Sequence, residues 1–207
     1  VSSPLPFDPV ERAGELWKQH WPDEDDSVYA SMLAVTSIMR AQQILLAELD
    51  ARLRRFGLTF SRFEALVLLN FSSAGSLPLS KMGERLQVHA TSVTNLIDRL
   101  EAADLVRREP NPRDGRGTLA VITERGRQTA RDATTELNRS RFALGALPNQ
   151  DLGLLFDALR RLRVGAGDFL APHADGSLAG QPATSRSAGL RSNPNRHDET
   201  DDEMVSE

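Results

Sequence analysis

Residues 77–126, LPLSKMGERLQVHATSVTNLIDRLEAADLVRREPNPRDGRGTLAVITERG, decide how the rest of the chain reads. Within them, Ser80–Leu86 and Ala90–Ala103 carry apolar residues at helical spacing, with only a short break between. Leu105–Glu109 and Thr118–Thr123 then alternate apolar and polar side chains, the period of half-buried strands. Between those strands, residues 111–117 (NPRDGRG) supply the Pro and Gly of a turn together with two arginines. Helix, turn, helix and a β-hairpin with a cationic tip is the order of a winged helix-turn-helix. The fold class expected is mainly α with a small β-hairpin wing and a helical dimerisation region.

The two short helices divide into an inner and an outer face. Leu79, Met82, Leu86 and Val88 from the first, and Val93, Leu96, Ile97 and Leu100 from the second, fall on packing positions. His89, Thr91, Ser92, Thr94, Asn95 and Arg99 are left facing outward. Short polar side chains near a helix N-terminus suit close approach to base edges in a major groove about 12 Å wide. Asn95 fits a bidentate pair with adenine, and threonine methyls fit thymine methyls. The competing reading is that Thr91 and Ser92 only cap and solvate the helix. Arg99, a turn further on, suits a phosphate contact or an intramolecular ion pair equally. At the hairpin tip, Arg113 and Arg116 suit a narrow minor groove, where negative potential concentrates. Asp114 makes no sense against a polyanion and is expected to position the wing.

Outward from this stretch the chain is helical. Asp8, Pro9 and Glu11 open a short helix that carries Leu16, Trp17 and Trp21 and stops at Pro22. Asp25 or Asp26 caps a second helix, Ser27–Phe56, with apolar residues at helical spacing from Val28 to Phe56 and Gly57 as its stop. At 1.5 Å per residue it is about 45 Å long, the length of a dimer interface or a solvent-bridging strut. Ser61 and Glu64 read as a capping box for a very apolar helix through Phe63, Leu66, Val67, Leu69 and Phe71, the floor under the reading pair. Ser72–Leu77 reads as a loop, and Ser80 as the cap of the next helix. After the hairpin, Thr123 caps a helix with a sparse stripe of Ala130, Ala133, Leu137 and Leu144. Pro148 opens a last helix through Phe169. The expected organisation is an N-terminal extension (1–26), a winged-helix domain (27–170) and a disordered acidic tail (171–207). Within the domain, 60–123 form the reading lobe, and 27–56 and 124–170 the dimerisation helices.

Composition narrows the class further. Aromatic residues are 5% of the 207, which favours helix-on-helix packing, and cysteine is absent, excluding disulfides, thiolate–zinc sites and cysteine redox sensing. His20, His89, His173 and His197 stand apart without metal-ligand spacing, so neither metal nor cofactor is expected. No uninterrupted apolar run reaches bilayer length and no signal peptide is evident, so a cytoplasmic chain without a membrane partner is expected. The net charge of −4 conceals an uneven distribution: Lys and Arg outnumber acids over 81–131, while HDETDDEMVSE from His197 is strongly acidic. No phosphate loop, nucleophile elbow or paired catalytic constellation appears, so an enzyme is not expected. A winged-helix module that binds protein is the alternative, although the polar face of residues 91–95 is a poor protein interface.

Residues 77–126 resemble the DNA-binding core of the MarR family of bacterial transcriptional regulators. The likeness rests on SVTNLIDRLE, on Asp114 and Arg116 in the wing, and on Thr123 and Gly126 after it. It implies a homodimer with intertwined terminal helices that binds double-stranded DNA at a roughly palindromic operator, most often as a repressor. Gly117, where the family often has Ser, implies a looser wing. Many members release DNA when a small aromatic anion binds between the dimerisation helices and the reading lobe. The N-terminal extension is similar to a subgroup that includes urate-responsive regulators, which use a Trp, an Asp and an Arg. Here Trp17 is present, but Glu64 and Leu96 hold the other two positions, so the cation for urate is missing. The resemblance then implies a phenolic or other apolar-bodied effector near Trp17, Met39, Phe63 and Glu64, against the plainer reading that Trp17 only packs the extra helix.

Overall fold

A computed structural model describes residues 4–112, 114 and 117–170. Arg113, Arg116 and the expected tail 171–207 therefore lie outside the described residues. Helix α1, Pro9–His20, starts where Asp8 accepts from the amides of Val10 (2.8 Å) and Glu11 (3.5 Å), with Pro9 in the first turn. Helix α2, Asp26–Leu53, is capped by Asp25, which accepts from the Ser27 amide at 2.7 Å. The two pack closely because Gly14 has no side chain: a Cβ there would stand 2.7 Å from Leu33 Cδ2. Lys18 pairs with Asp26 at 3.0 Å and lies over the Tyr29 ring.

Helix α2 runs into a 3₁₀ turn, Arg54–Phe56, and stops at Gly57 with φ 71°. Only its C-terminal end is in the core, through Leu49 and Leu53. Val28, Val35, Ile38, Met39, Ile44 and Leu46 are exposed. By length and composition Asp26–Phe56 is apolar enough to cross a membrane, contrary to the expectation that no apolar run reaches bilayer length. Its apolar positions are instead interleaved with Ser31, Thr36, Arg40, Gln42 and Gln43.

Helix α3, Phe60–Phe71, begins at Thr59 and not at Ser61. Thr59 Oγ1 accepts from the Arg62 amide (3.4 Å), and the Asp50 carboxylate of α2 accepts from the Phe60 amide (2.7 Å). The long-range acceptor on α2 moves the start two residues ahead of the expected box. Phe63, Ala65, Leu66 and Leu69 are buried, whereas Phe71 faces out, because α3 ends there and turns away. Strand β1, Ser76–Pro78, replaces the expected loop; three residues are too few to show a period. Helix α4, Leu79–Leu86, follows directly from Pro78 with no side-chain cap, which places Ser80 inside the first turn instead of at the cap.

Helix α5, Ala90–Ala102, strand β2, Val106–Pro110, and strand β3, Thr118–Ile122, complete the reading lobe. The antiparallel sheet has the order β1-β3-β2, with Leu77 opposite Ala120 and Arg108 opposite Ala120 on the other side. Pro78 and Pro110 both sit on edge strands, where a missing amide does no harm. Helix α6, Glu124–Arg139, is capped by Thr123, whose Oγ1 accepts from the Gly126 amide (2.9 Å) and donates to the Asp104 carbonyl (2.8 Å). Its sparse stripe is a close contact of small residues: Ala130, Ala133 and Leu137 are fully buried, and α6 packs on α3. The expected continuation to Leu144 fails at Arg141–Ala143, where φ is 50°, 50° and 63°. The described residues up to 145 form one compact unit, and those from 146 to 170 belong to a second. In the second, helix α7, Asn149–Gly165, exposes Leu154, Phe156 and Leu162. Phe169 lies beyond the helix, not within it, with Arg160 and Arg163 against its ring.

A Cβ at Gly126 would meet the Leu105 carbonyl oxygen at 2.1 Å, whereas one at Gly153 in α7 meets nothing within 4 Å. Gly126→Ala should therefore destabilise the fold by about 1–3 kcal/mol or more. Gly153→Ala should stabilise it by about 0.5–1 kcal/mol through helix propensity. Urea unfolding midpoints of the two variants check this; a Gly126→Ala midpoint at or above the parent's would contradict the close approach.

Candidate nucleic-acid interface

The reading pair is held from inside by Met82, Val93, Ile97 and Leu100, all essentially inaccessible, with Leu79 and Leu86 partly buried around them. Between the helices Gln87 takes a left-handed conformation (φ 52°), and the Val88 amide donates to the Gly83 carbonyl at 3.1 Å. A Cβ at Gly83 would come within 3.3 Å of the Val88 carbonyl oxygen, so the small residue permits the tight turn. Val88, expected inside, is 38% exposed, because the turn swings it to the rim.

His89, Thr91, Ser92, Thr94, Asn95 and Arg99 are all exposed on α5 or at its start. His89 is the N-cap: its Nδ1 accepts from the Thr91 amide at 3.3 Å and lies 3.1 Å from Thr91 Oγ1. Thr94 Oγ1 donates to the Ala90 carbonyl at 3.2 Å, so its hydroxyl proton is engaged within the helix. Ser92, Asn95 and Arg99 lie along one line of the helix. Arg99 makes no ion pair among the described residues, which leaves its charge available to solvent or a ligand. Leu96 is half-buried and lines a groove, not the core, because Val93, Ile97 and Leu100 already fill the inner face.

That groove, about 800 Å³, runs between the N-terminal turn of α3 and the outer face of α5. Thr59, Ser61 and Arg62 form one wall and Ser92, Asn95, Leu96 and Arg99 the other. Ser61 and Arg62 were not identified from sequence as surface partners of α5; nothing local signals a contact between segments 30 residues apart. Arg62 also donates to the Gly57 carbonyl at 3.2 Å, which ties it to the end of the preceding turn.

A second feature missed in the sequence is Arg108 on β2. Its guanidinium donates to Glu101, to Asp98 (2.6 Å) and to the Thr94 carbonyl (3.4 Å), and its amide donates to Glu101 Oε1 (3.0 Å). Burial opposes the Arg108 charge, but hydrogen bonds and Coulomb attraction from Glu101 and Asp98 outweigh it and hold the group above its ordinary pKa. Acids at positions 98 and 101 of the helix, with an arginine just after it, were the available signal.

At the hairpin tip the Asn111 amide donates to Gly117 (2.9 Å), Asp114 to Asn111 (3.2 Å) and Gly117 to Asp114 (2.8 Å). The Asp114 carboxylate lies so close over Gly117 that a Cβ there would stand 3.1 Å from Oδ2. The absence of a side chain at Gly117 leaves room for this carboxylate. Arg113 and Arg116 fall outside the described residues.

The four residues expected around an effector do not meet within one chain. Trp17 packs against Trp21 with the rings tilted by 36° (4.4 Å between ring centres) and rides on α1, which packs near Tyr29 and Leu33 of α2. Phe63 is buried and stacks on Phe60, near the Leu49–Leu53 end of α2. Those two ends of α2 are roughly 30 Å apart at 1.5 Å per residue. Met39 lies between them and is exposed. Glu64 is open to solvent on one side, and burial on the other raises its carboxyl pKa. Trp17 Nε1 is buried without a hydrogen-bond partner among the described residues. Nor do the described residues place three or more His, Asp or Glu where they could hold a metal ion.

A profile of the MarR family matches residues 58–118. Sco5413, a MarR family transcriptional regulator from Streptomyces coelicolor, is 57% identical in a superposition covering 68% of this chain and 97% of that one, with a TM-score of 0.63. Sco3205 from the same organism, a MarR family regulator solved in complex with DNA, is 25% identical over 65% of this chain and 86% of its own, with a TM-score of 0.60. Among curated proteins, the HTH-type transcriptional regulator MhqR of Bacillus subtilis is 26% identical over 136 residues, 64% of this chain and 90% of that protein.

The cap on α5 gives a direct check. His89→Ala removes the acceptor and should cost about 0.5–1 kcal/mol, while His89→Asn keeps one and should hold the parent's stability. Thermal melts of the two variants separate these outcomes; equal melting of Ala, Asn and parent would mean that His89 does not cap the helix.

Proposed function

The chain belongs to the MarR family of transcriptional regulators, and we propose that it acts as a homodimeric repressor bound to a roughly palindromic DNA operator. The observation that carries this reading is the exposed polar line on α5 beside a sheet that presents a wing. In this reading α5 enters the major groove, where the Asn95 carboxamide meets adenine and the methyls of Thr91 and Thr94 meet thymine. Ser92, Arg99 and the capped start of α5 take phosphates. Arg113 and Arg116 reach the neighbouring minor groove, and Asp114 positions the turn that carries them. His89 stands at the groove-entering end. The DNA complex of the related Sco3205 supports the mode of binding.

A second copy accounts for the apolar row left uncovered on α2, and α7 offers a further row of exposed leucine and phenylalanine. A small aromatic or phenolic ligand bound between the dimerisation helices and the reading lobe would shift the lobe and release DNA. Trp17, Met39, Phe63 and Glu64 can share such a ligand only where the partner copy completes the set. As a DNA regulator the protein works in the cytoplasm.

Selection of DNA from a random pool by the full chain tests the reading. Enrichment of an inverted repeat with half-sites about 10 bp apart is expected; failure to enrich any sequence would contradict it. On that operator, Arg116→Ala should weaken binding by about 1–2 kcal/mol and reduce the salt slope by about one. An unchanged affinity and slope would remove the wing from the interface.

A further inference from the structure

We propose that Arg108 is a specificity-determining positioning residue: its guanidinium fixes the angle between α5 and the wing without itself touching DNA. The inference rests on the proposed DNA-binding reading. Thr94, Asp98 and Glu101 lie on one side of α5 over successive turns, and Arg108 meets all three from β2. The Arg108 amide adds a fourth contact, to Glu101, so strand backbone and side chain grip the same helix. A planar guanidinium spans acceptors on successive helix turns with fixed geometry, whereas the three donors of a lysine ammonium diverge from a single nitrogen.

Thr94 is the residue through which this clamp reaches the reading face. Its carbonyl accepts from Arg108 while its side chain stands on the exposed side, next to Asn95. Strand β2 leads from Arg108 through Glu109 and Pro110 into the wing turn. One guanidinium thus connects the helix that reads the major groove with the strand that aims the wing. The Arg108 side chain is 26% exposed and the acids more so, at 55% and 40%. Ion pairs of such exposure contribute little to global stability. The clamp should accordingly matter more for the mutual aim of two elements than for the melting temperature.

The carboxylates make the test decisive, because charge alone leaves the specificity ratio unchanged and positioning lowers it. Replacing Asp98 and Glu101 by Asn and Gln (D98N/E101Q) removes two negative charges from a lobe that approaches a polyanion. If those acids are merely surface charges, operator and scrambled duplex both bind more tightly and their affinity ratio is unchanged. If they anchor Arg108, scrambled DNA binds as well or better while the operator-to-scrambled ratio falls by about tenfold or more. Arg108→Lys, which keeps the charge and loses the fork, should show the same fall in ratio with an unchanged salt slope. A parent-like ratio in both variants overturns the proposal, and a salt slope reduced by about one in Arg108→Gln, which removes the charge, would make Arg108 a phosphate contact instead.

A DNA-free measurement separates failure of this inference from failure of the DNA reading. The chain has no cysteine, so Thr91→Cys and Pro112→Cys give a unique spin-label pair, diluted with unlabelled protein to isolate single protomers. The distance distribution should be narrow in the parent and broadened by Arg108→Lys and by D98N/E101Q. Equal widths in all three overturn the clamp even where no operator is found. Melting curves of both variants confirm that the lobe is folded; should D98N/E101Q fail to fold, Arg108→Lys alone carries the comparison.

Discussion

The reading lobe depends on one close approach, the backbone of Gly126 against the carbonyl of Leu105. The Leu105 amide donates to Leu100 at the end of α5 (2.9 Å), and its carbonyl accepts from Thr123 ahead of α6 (3.0 Å). One residue thus joins the recognition helix, the root of the wing and the next helix. Thr123 reinforces the junction by bonding both Asp104 and Gly126, and Asp104 itself takes a left-handed conformation (φ 58°) to make the turn. With α6 held at that distance, Ala130 and Ala133 can lie flush on α3, and a larger residue at 126 would lift the whole helix. The lobe is tied together by backbone contact here, and side-chain packing fills in around it.

Much of this was legible in the sequence because the deciding signals are local. Asp8, Asp25 and Thr123 announce helix starts from residues adjacent to them, and Val93, Ile97 and Leu100 mark an inner face at helical spacing. The misreadings share a different origin. Thr59 outcompetes Ser61 because Asp50, on another helix, supplies a second acceptor to the start of α3. Strand β1 exists because β3 pairs with it, not because Ser76–Pro78 has any strand preference. Leu96 has the hydrophobicity of a core residue but lies on the groove side once its neighbours have filled the core. The left-handed turn at 141–143 contains no glycine to announce it. Of the candidate interface, the outward face of α5 was readable residue by residue, while the contribution of Ser61, Arg62 and Arg108 depends on tertiary contacts.

Charge is arranged on the same scale as these contacts. The chain is acidic as a whole, yet the two acids on α5 nearest the wing are both paired to Arg108. Arg62 and Arg99 stand across a groove with no carboxylate bonded to either among the described residues. The net charge of the chain says little about such a surface, because screening confines each charge to its own neighbourhood within about 8–10 Å. Away from the lobe the uncovered feature is apolar: among the described residues Val35, Ile38, Met39, Ile44 and Leu46 of α2 are exposed, and only the last turns of that helix join the core. The same helix therefore anchors the lobe at one end and exposes apolar side chains along its middle.

The central claim is that α5 reads the major groove while the wing reads the adjacent minor groove. Dimethyl sulfate probes both in one experiment, since it methylates guanine N7 in the major groove and adenine N3 in the minor groove. On a duplex bound by the full chain, the account predicts guanine N7 protection in two patches about one helical turn apart, flanked by protected adenine N3 positions. Protection confined to the minor groove, or spread along the duplex without a repeat, would contradict it.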